Sequence, residues 1–198
     1  GGVDSAICLG LLHQMKLKYP SYSYKIVPVI APIEKSYGTT AQERSTVLAL
    51  ELCAKYCYTP KILDLAPVAH SKTQHIVGNF TDNHCIQQSD YWLRPMAFHT
   101  EASRIENVDS CMVGTVNKSE WDLGWFSQYL DVFNLMPIID LYKSDVYAYA
   151  KLLKVPQSIL DNPPEGGLAD GKNDEDSLGF TYDQYEDKQK YILRCSHQ

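Results

Sequence analysis

The chain has 198 residues, and its 18 basic and 24 acidic side chains give a formal net charge of −6. This length and a hydrophobic content of 44% predict one globular domain with a sizeable core. The acidic balance argues against a nucleic-acid binder, which would present a basic face, and no apolar run approaches the roughly 18 to 20 residues of a membrane span. We therefore expect neither nucleic acid nor a membrane as a partner.

The cysteines and the N-terminus bear on the cellular compartment. Six cysteines are scattered along the chain without a C-x-x-C pair. This spacing favours free thiols in a reducing compartment over a disulfide scaffold or a zinc site, so we predict a cytoplasmic protein. The chain begins at Gly1, without an initiator methionine or a leader. We interpret it as a domain truncated at its N-terminus.

Helix and strand patterns alternate along the chain. Apolar residues recur every fourth position from Ile7 to Met15, which predicts a helix over 4–18. The apolar run 26–31 predicts a buried strand, although Pro28 removes one donor from its ladder. Similar patterns predict helices over about 40–58, 119–126 and 181–193, a helix that includes 146–153, and strands over 62–65 and 111–113. This alternation predicts a doubly wound α/β sheet.

A long polar segment interrupts this alternation. Residues 162–179 are rich in Pro, Gly and acidic side chains and show no apolar period. The segment therefore predicts a long loop, and loops of such length in compact domains are usually lids, binding loops or disordered.

The segment Gly1–Ser5, G-G-V-D-S, opens the first predicted helix. Two glycines let backbone N–H groups approach a phosphate, and a helix N-terminus adds partial positive charge. The segment lacks the lysine of the G-x-x-x-x-G-K-[ST] loop. Instead Asp4 would repel phosphates unless a divalent cation bridges them, which predicts Mg²⁺. The alternative is a tight turn that merely precedes a helix.

Several ordered segments resemble one family. Gly1–Ser5 is similar to the S-G-G-x-D-S loop of the N-type ATP pyrophosphatases, whose serine would fall just before Gly1. Residues 114–120, G-T-V-N-K-S-E, resemble a signature of NAD synthetases, and 137–143 and 163–182 resemble two more segments of that family. On these matches the chain is identified as a member of the ammonia-dependent NAD synthetase family.

The resemblance implies a fold and a reaction. The implied fold is a doubly wound, mostly parallel five-stranded sheet with helices on both faces. Its first strand is missing from this chain, one synthetase domain spans 1–198, and 162–179 is a substrate-binding loop. The implied reaction uses ATP as co-substrate to adenylylate the nicotinate carboxylate of deamido-NAD, and ammonia then displaces AMP to form NAD. Family members are homodimers, so we expect a homodimer that binds only small-molecule substrates and Mg²⁺.

The resemblance also implies the ATP-binding residues. They are the phosphate-loop residues Gly1, Gly2, Asp4 and Ser5, together with Thr115 and Lys143. Asp4 and Glu120 match the Mg²⁺ ligands. Lys143 matches a catalytic position where its charge would offset the charge that grows at the α-phosphate. Without the resemblance, Glu120 could simply favour a helix macrodipole and Lys143 could be a solvated helix start.

The chain departs from the family pattern mainly around the second substrate. Gln128 replaces a lysine, and Asn134 falls where an aspartate that contacts deamido-NAD is expected. Glu165 stands near ATP in place of a small hydroxyl residue. Arg94 is the best match to a dinucleotide-binding arginine. Asp131 matches a loop aspartate that could take a proton from ammonia, although it could equally be a turn residue.

Two other functions remain open at this point. The altered loops are compatible with another N-type ATP pyrophosphatase, one that thiolates tRNA or amidates a purine. The absence of a first strand and of the loop serine is compatible with a catalytically dead nucleotide-binding module.

Overall fold

A computed structural model of the chain describes residues 1–33, 40–72, 74–75, 89–90, 92–104, 109–126, 133–164 and 173–196. Its helices are α1 (Val3–Lys18), α2 (Thr40–Lys55), α3 (Ala66–Lys72), α4 (Leu93–Ser103), α5 (Lys118–Leu123), α6 (Lys143–Leu152), α7 (Gln157–Leu160), α8 (Asp174–Leu178) and α9 (Tyr182–Ser196). Its strands are β1 (Val29–Ile30) and β2 (Lys61–Ile62). Within these residues no helix has both the length and the apolar character needed to span a membrane.

The two strands pair in parallel on either side of α2. Val29 lies opposite Lys61 and Ile30 opposite Ile62. Parallel hydrogen bonding continues past the strands, because Leu63 N donates to the Ile30 carbonyl at 2.8 Å. The proline before β1 fits here because its carbonyl accepts from Lys61 N at 2.9 Å, so its missing N–H is not needed.

A second parallel pairing lies later in the chain. Val113 bridges Leu135, and Gly114 N donates to the Leu135 carbonyl at 2.8 Å. Of the five strands that the family resemblance implies, the described residues therefore contain β1, β2 and this bridge. The α/β class is confirmed, with more helix and a smaller sheet than the five-stranded expectation.

The core forms around the first half of α1. Ile7, Ile138, Val146 and Ile159 have no exposed side chain, and α1 packs against α6 and α7. The predicted apolar stripe on α1 is only half right, because Met15 is 50% exposed. Burial therefore concentrates in the N-terminal half of α1, next to the predicted phosphate loop.

Left-handed residues explain where two helices end. Helix α2 stops at Lys55, short of the predicted 58, because Cys57 has a φ of 57°. Helix α5 stops at Leu123, short of the predicted 126, because Gly124 caps it with a φ of 67°.

The interpretation of 162–179 as one long loop is wrong for its second half. Helix α8 forms there because the Asn173 side chain caps it by accepting from Asp176 N at 2.7 Å. Gly179 ends the helix with a φ of 79°. The residues 165–172 lie outside the described part of the chain.

Candidate active site

The predicted phosphate loop, Gly1–Ser5, forms the N-terminus of α1. Gly2 is the N-cap residue, and Ser5 Oγ donates to its carbonyl at 2.9 Å. The N–H groups of a first helical turn have no acceptor within the helix, so they are available to an anion. Gly1 packs so closely against α2 that a Cβ atom there would lie 2.0 Å from the Ser45 carbonyl oxygen. Position 1 therefore requires glycine, because a larger side chain would clash with the backbone of α2.

Asn117 joins this loop to α5. Its side chain accepts from Glu120 N at 2.9 Å, and Glu120 Oε2 accepts from Asn117 N at 3.2 Å, which completes a capping box. Asn117 Nδ2 also donates to Asp4 Oδ1 at 2.9 Å. Sequence reasoning assigned no role to Asn117, although the N-x-x-E spacing of 117–120 is a capping-box signal that could have found it.

Lys143, the first residue of α6, brings the two predicted metal ligands together. Its ammonium lies 2.7 Å from Asp4 Oδ2 and 3.0 Å from Glu120 Oε1. The lysine side chain is 3% exposed and lies 5.2 Å from the centre of the Tyr182 ring. Asp4, Glu120 and Lys143 are thus one cluster at the start of three helices, in which the lysine is buried and the two carboxylates are partly exposed. We call it the carboxylate–lysine cluster.

The cluster has an excess of negative charge. Burial, and then the charge of Asp4, raise the pKa of Glu120 to about 7, although Lys143 opposes this. Burial disfavours the Lys143 ammonium, but Asp4 and Glu120 outweigh burial and raise its pKa. Burial also raises the pKa of Asp174, against the charge of Lys143. The Lys143 ammonium therefore contacts two carboxylates with one positive charge, and such a site favours a further cation.

The end of the predicted loop closes over the cluster. Tyr182 donates its hydroxyl to Asp174 Oδ2 at 3.3 Å, and its ring covers the Lys143 ammonium. Asp174 N donates to the Pro164 carbonyl at 2.9 Å, which joins the two ends of segment 165–172. Sequence reasoning gave Tyr182 and Asp174 no site role. Both are fixed positions of the family segment that 163–182 resembles, and that match is the signal that could have found them.

The structure shows fewer contacts for the other predicted site residues. Arg94 Nε donates to the Ala31 carbonyl, just after β1, at 3.1 Å. Thr115 is half-buried. In the sequence it lies between Val113, which bridges Leu135, and Asn117.

Asn134 is exposed, and its side chain accepts from Met112 N at 3.1 Å. It therefore supports the backbone beside the bridge. Gln128, Asp131 and Glu165 lie outside the described residues.

Metal binding would depend on the cluster. The described part of the chain contains no group of three or more His, Cys, Asp or Glu side chains that could hold a metal by itself. Two carboxylates do converge, on Lys143 Nζ. Mg²⁺ commonly takes one or two protein carboxylates and completes its shell with water and substrate phosphates, so Asp4 and Glu120 fit that ion.

Comparison with known proteins decides the family. A sequence model of the NAD synthase family matches residues 1–196. The chain belongs to the NAD synthase family. This confirms the family predicted from the ordered motifs.

Relatives within the family match nearly the whole chain. An NH(3)-dependent NAD(+) synthetase of Finegoldia magna is 28% identical, over 100% of this chain and 74% of that protein. One of Thermoplasma acidophilum is 30% identical, over 94% of this chain and 72% of the relative.

Solved structures match the fold. An NMN synthetase from Francisella tularensis has a TM-score of 0.82 and 27% identity, covering 96% of this chain and 74% of its own. An NH3-dependent NAD synthetase from Campylobacter jejuni has a TM-score of 0.67 and 23% identity, covering 100% of this chain and 73% of its own.

Proposed function

We propose that this NAD synthase family member is a ligase that amidates deamido-NAD with ammonia at the expense of ATP, releasing AMP and pyrophosphate. The observation that carries the proposal is the carboxylate–lysine cluster, in which Lys143 Nζ lies within hydrogen-bond distance of both Asp4 and Glu120. A carboxylate is a poor acyl donor, and adenylylation gives it a stable leaving group. The protein must therefore align two polyanions and offset charge as pyrophosphate departs.

In this proposal the loop and the cluster divide the work on ATP. The first-turn N–H groups of α1 bind the departing pyrophosphate, and Gly1 leaves the backbone open to it. Lys143 brings positive charge to the same place. Asp4 and Glu120 would hold Mg²⁺. When bound, that ion would neutralise phosphate oxygens that the buried carboxylates otherwise repel.

The remaining assignments are proposals that rest on the family. Thr115 and Glu165 contact ATP, and Asp131 takes a proton from ammonia. Arg94, Gln128 and Asn134 contact the second substrate. The segment 162–179 binds substrate, and the sheet is completed to five strands within one synthetase domain over 1–198. The enzyme acts in the cytoplasm as a homodimer.

A second candidate function is amidation of the mononucleotide, to give NMN. The structure of an NMN synthetase shares the fold of this chain at a TM-score of 0.82. The Asn134 side chain is also engaged by the backbone of Met112, at the position proposed to contact a dinucleotide. Both candidates use the same nicotinate carboxylate and differ only in the adenylate part of the substrate.

The test supplies ATP, Mg²⁺ and ammonium with either deamido-NAD or nicotinate mononucleotide, and measures amide product and AMP. We expect equal amounts of NAD and AMP, with a higher kcat/KM for deamido-NAD. A higher kcat/KM for the mononucleotide would select the second candidate. Pyrophosphate release without amide, or ATP binding without turnover, would overturn both. Glu120→Gln should be inactive. The control Glu51→Gln, near the C-terminal end of α2, should be active.

A further inference from the structure

Glu186 is a carboxylate that the proposed reaction does not use. It lies in α9 and is 1% exposed. Ser119 Oγ donates to its Oε1 at 2.8 Å, Ser144 N donates to the same oxygen at 3.3 Å, and Ser144 Oγ donates to Oε2. Burying a carboxylate is costly unless donors compensate it, and here three donors do so. We call Ser119, Ser144 and Glu186 the Glu186 clamp.

The clamp holds the backbone at two site residues. Ser119 directly precedes Glu120, and Ser144 directly follows Lys143. Ser119, which is fully buried, also accepts from Lys143 N at 3.0 Å. The two helix starts are therefore linked through one hydroxyl and one carboxylate. Their side chains meet at the 3.0 Å contact between Lys143 Nζ and Glu120 Oε1.

If Glu186 only anchored α9 to the rest of the fold, a buried charge would not be needed. An apolar side chain could dock α9 against α5 and α6 without burying a charge, and such replacements are often neutral or stabilising. The clamp instead engages hydroxyl and N–H groups beside the two site residues. Groups that support metal ligands or catalytic side chains in this way fix their orientation.

We propose that Glu186 is a positioning residue that sets the separation of Glu120 and Lys143 through Ser119 and Ser144. The inference rests on the proposed function, because the cluster it orients is the one proposed to bind Mg²⁺ and ATP. Glu186 contacts neither side chain of that pair. It acts through the two serines.

The test uses paired variants at one serine. Ser144→Ala removes one hydroxyl from the clamp, Ser144→Thr keeps it, and Glu186→Gln keeps volume but removes the charge. The matched control is Ser158→Ala, which removes a similar hydrogen bond, from Ser158 Oγ to Glu51 at 2.6 Å, between α7 and α2. For each protein we would measure the free energy of unfolding, the Kd of ATP with Mg²⁺ by calorimetry, and kcat.

We expect Ser144→Ala and Glu186→Gln to weaken Mg²⁺-dependent ATP binding or lower kcat by about 10- to 100-fold, as losses behind metal ligands usually do. Ser144→Thr should recover most of this loss, and Ser158→Ala should match the wild type. The inference is overturned if the clamp variants lose stability but keep wild-type Kd and kcat, or if Ser144→Thr is as impaired as Ser144→Ala.

The result also separates this inference from the proposed function. If the wild-type protein makes no NAD, the proposed function fails. The ATP Kd values of the clamp variants still decide the positioning role. If Glu186→Gln does not fold, the Ser144 pair decides it.

Discussion

Replacing Lys143 with methionine should destabilise the metal-free protein, because two partly buried carboxylates would lose their shared cation. Methionine keeps the apolar stem and removes only the charge. The Asp4 and Glu120 side chains are 18% and 14% exposed, so water can compensate only part of the loss. Removing one partner of a buried ion pair usually costs about 3 to 5 kcal/mol.

We therefore expect a loss of about 3 to 5 kcal/mol at pH 7, which a typical domain survives. The pKa of Glu120 is already raised in the wild type, and Lys143 opposes that rise. Without the ammonium this pKa rises further above its unfolded value, so the folded variant binds more protons and its stability falls as pH rises. The loss should therefore be smaller at pH 5.5 than at pH 7.

The assay is urea unfolding without metal, at both pH values. Lys61→Met is the matched control, because Lys61 pairs with Glu101 at the surface and is 40% exposed. Such an exposed pair contributes little to stability, because water screens it. The reasoning is refuted if Lys143→Met costs no more than Lys61→Met at pH 7, or if its cost does not decrease at pH 5.5. Adding Mg²⁺ should stabilise Lys143→Met more than the wild type, if the carboxylates hold that ion.

Three further predictions follow from the same contacts. We expect Mg²⁺ to raise the Tm of the wild type, and Glu120→Gln should abolish that rise while leaving the fold intact by circular dichroism. An unchanged Mg²⁺ response would remove Glu120 from the metal site. Gly1→Ala should weaken ATP binding measured by calorimetry, because its Cβ would clash with the Ser45 carbonyl, and wild-type affinity would contradict that close packing. Burial raises the pKa of Cys8 to about 12, so at pH 8.5 iodoacetamide should modify the exposed Cys57 by mass spectrometry but reach Cys8 only in urea. Rapid native modification of Cys8 would show that this thiol is not buried.

Much of the fold followed from local patterns. Helix α1 begins at Val3, one residue from the predicted start, because its start has glycines and its face has an apolar period. The end of α2 was not predicted, because Cys57 has a left-handed backbone conformation. Cysteine is not a residue type that signals such a conformation in a sequence. Helix α8 was missed because Asn173 and Gly179 were interpreted as loop residues, although they are also cap residues.

The sequence allowed us to predict which residues form the site, but not how they contact one another. Asp4, Glu120 and Lys143 were named from motifs, and the structure brings all three together. The direct pairing of Lys143 with both carboxylates was not predictable, because it depends on how α1, α5 and α6 meet. The same holds for Glu186, which a charged amphipathic helix would ordinarily expose to solvent.

The charge of the cluster has a consequence for the proposed binding of ATP. The carboxylates of Asp4 and Glu120 both contact the single Lys143 ammonium, so the proposed triphosphate site is negative without a further cation. Lys143 alone offsets only one carboxylate. On the proposed function we therefore expect a divalent cation to be needed for ATP binding as well as for the chemical step. ATP without Mg²⁺ should therefore bind this protein more weakly than ATP with Mg²⁺, and equal Kd values by calorimetry would show that the cluster does not face the phosphates.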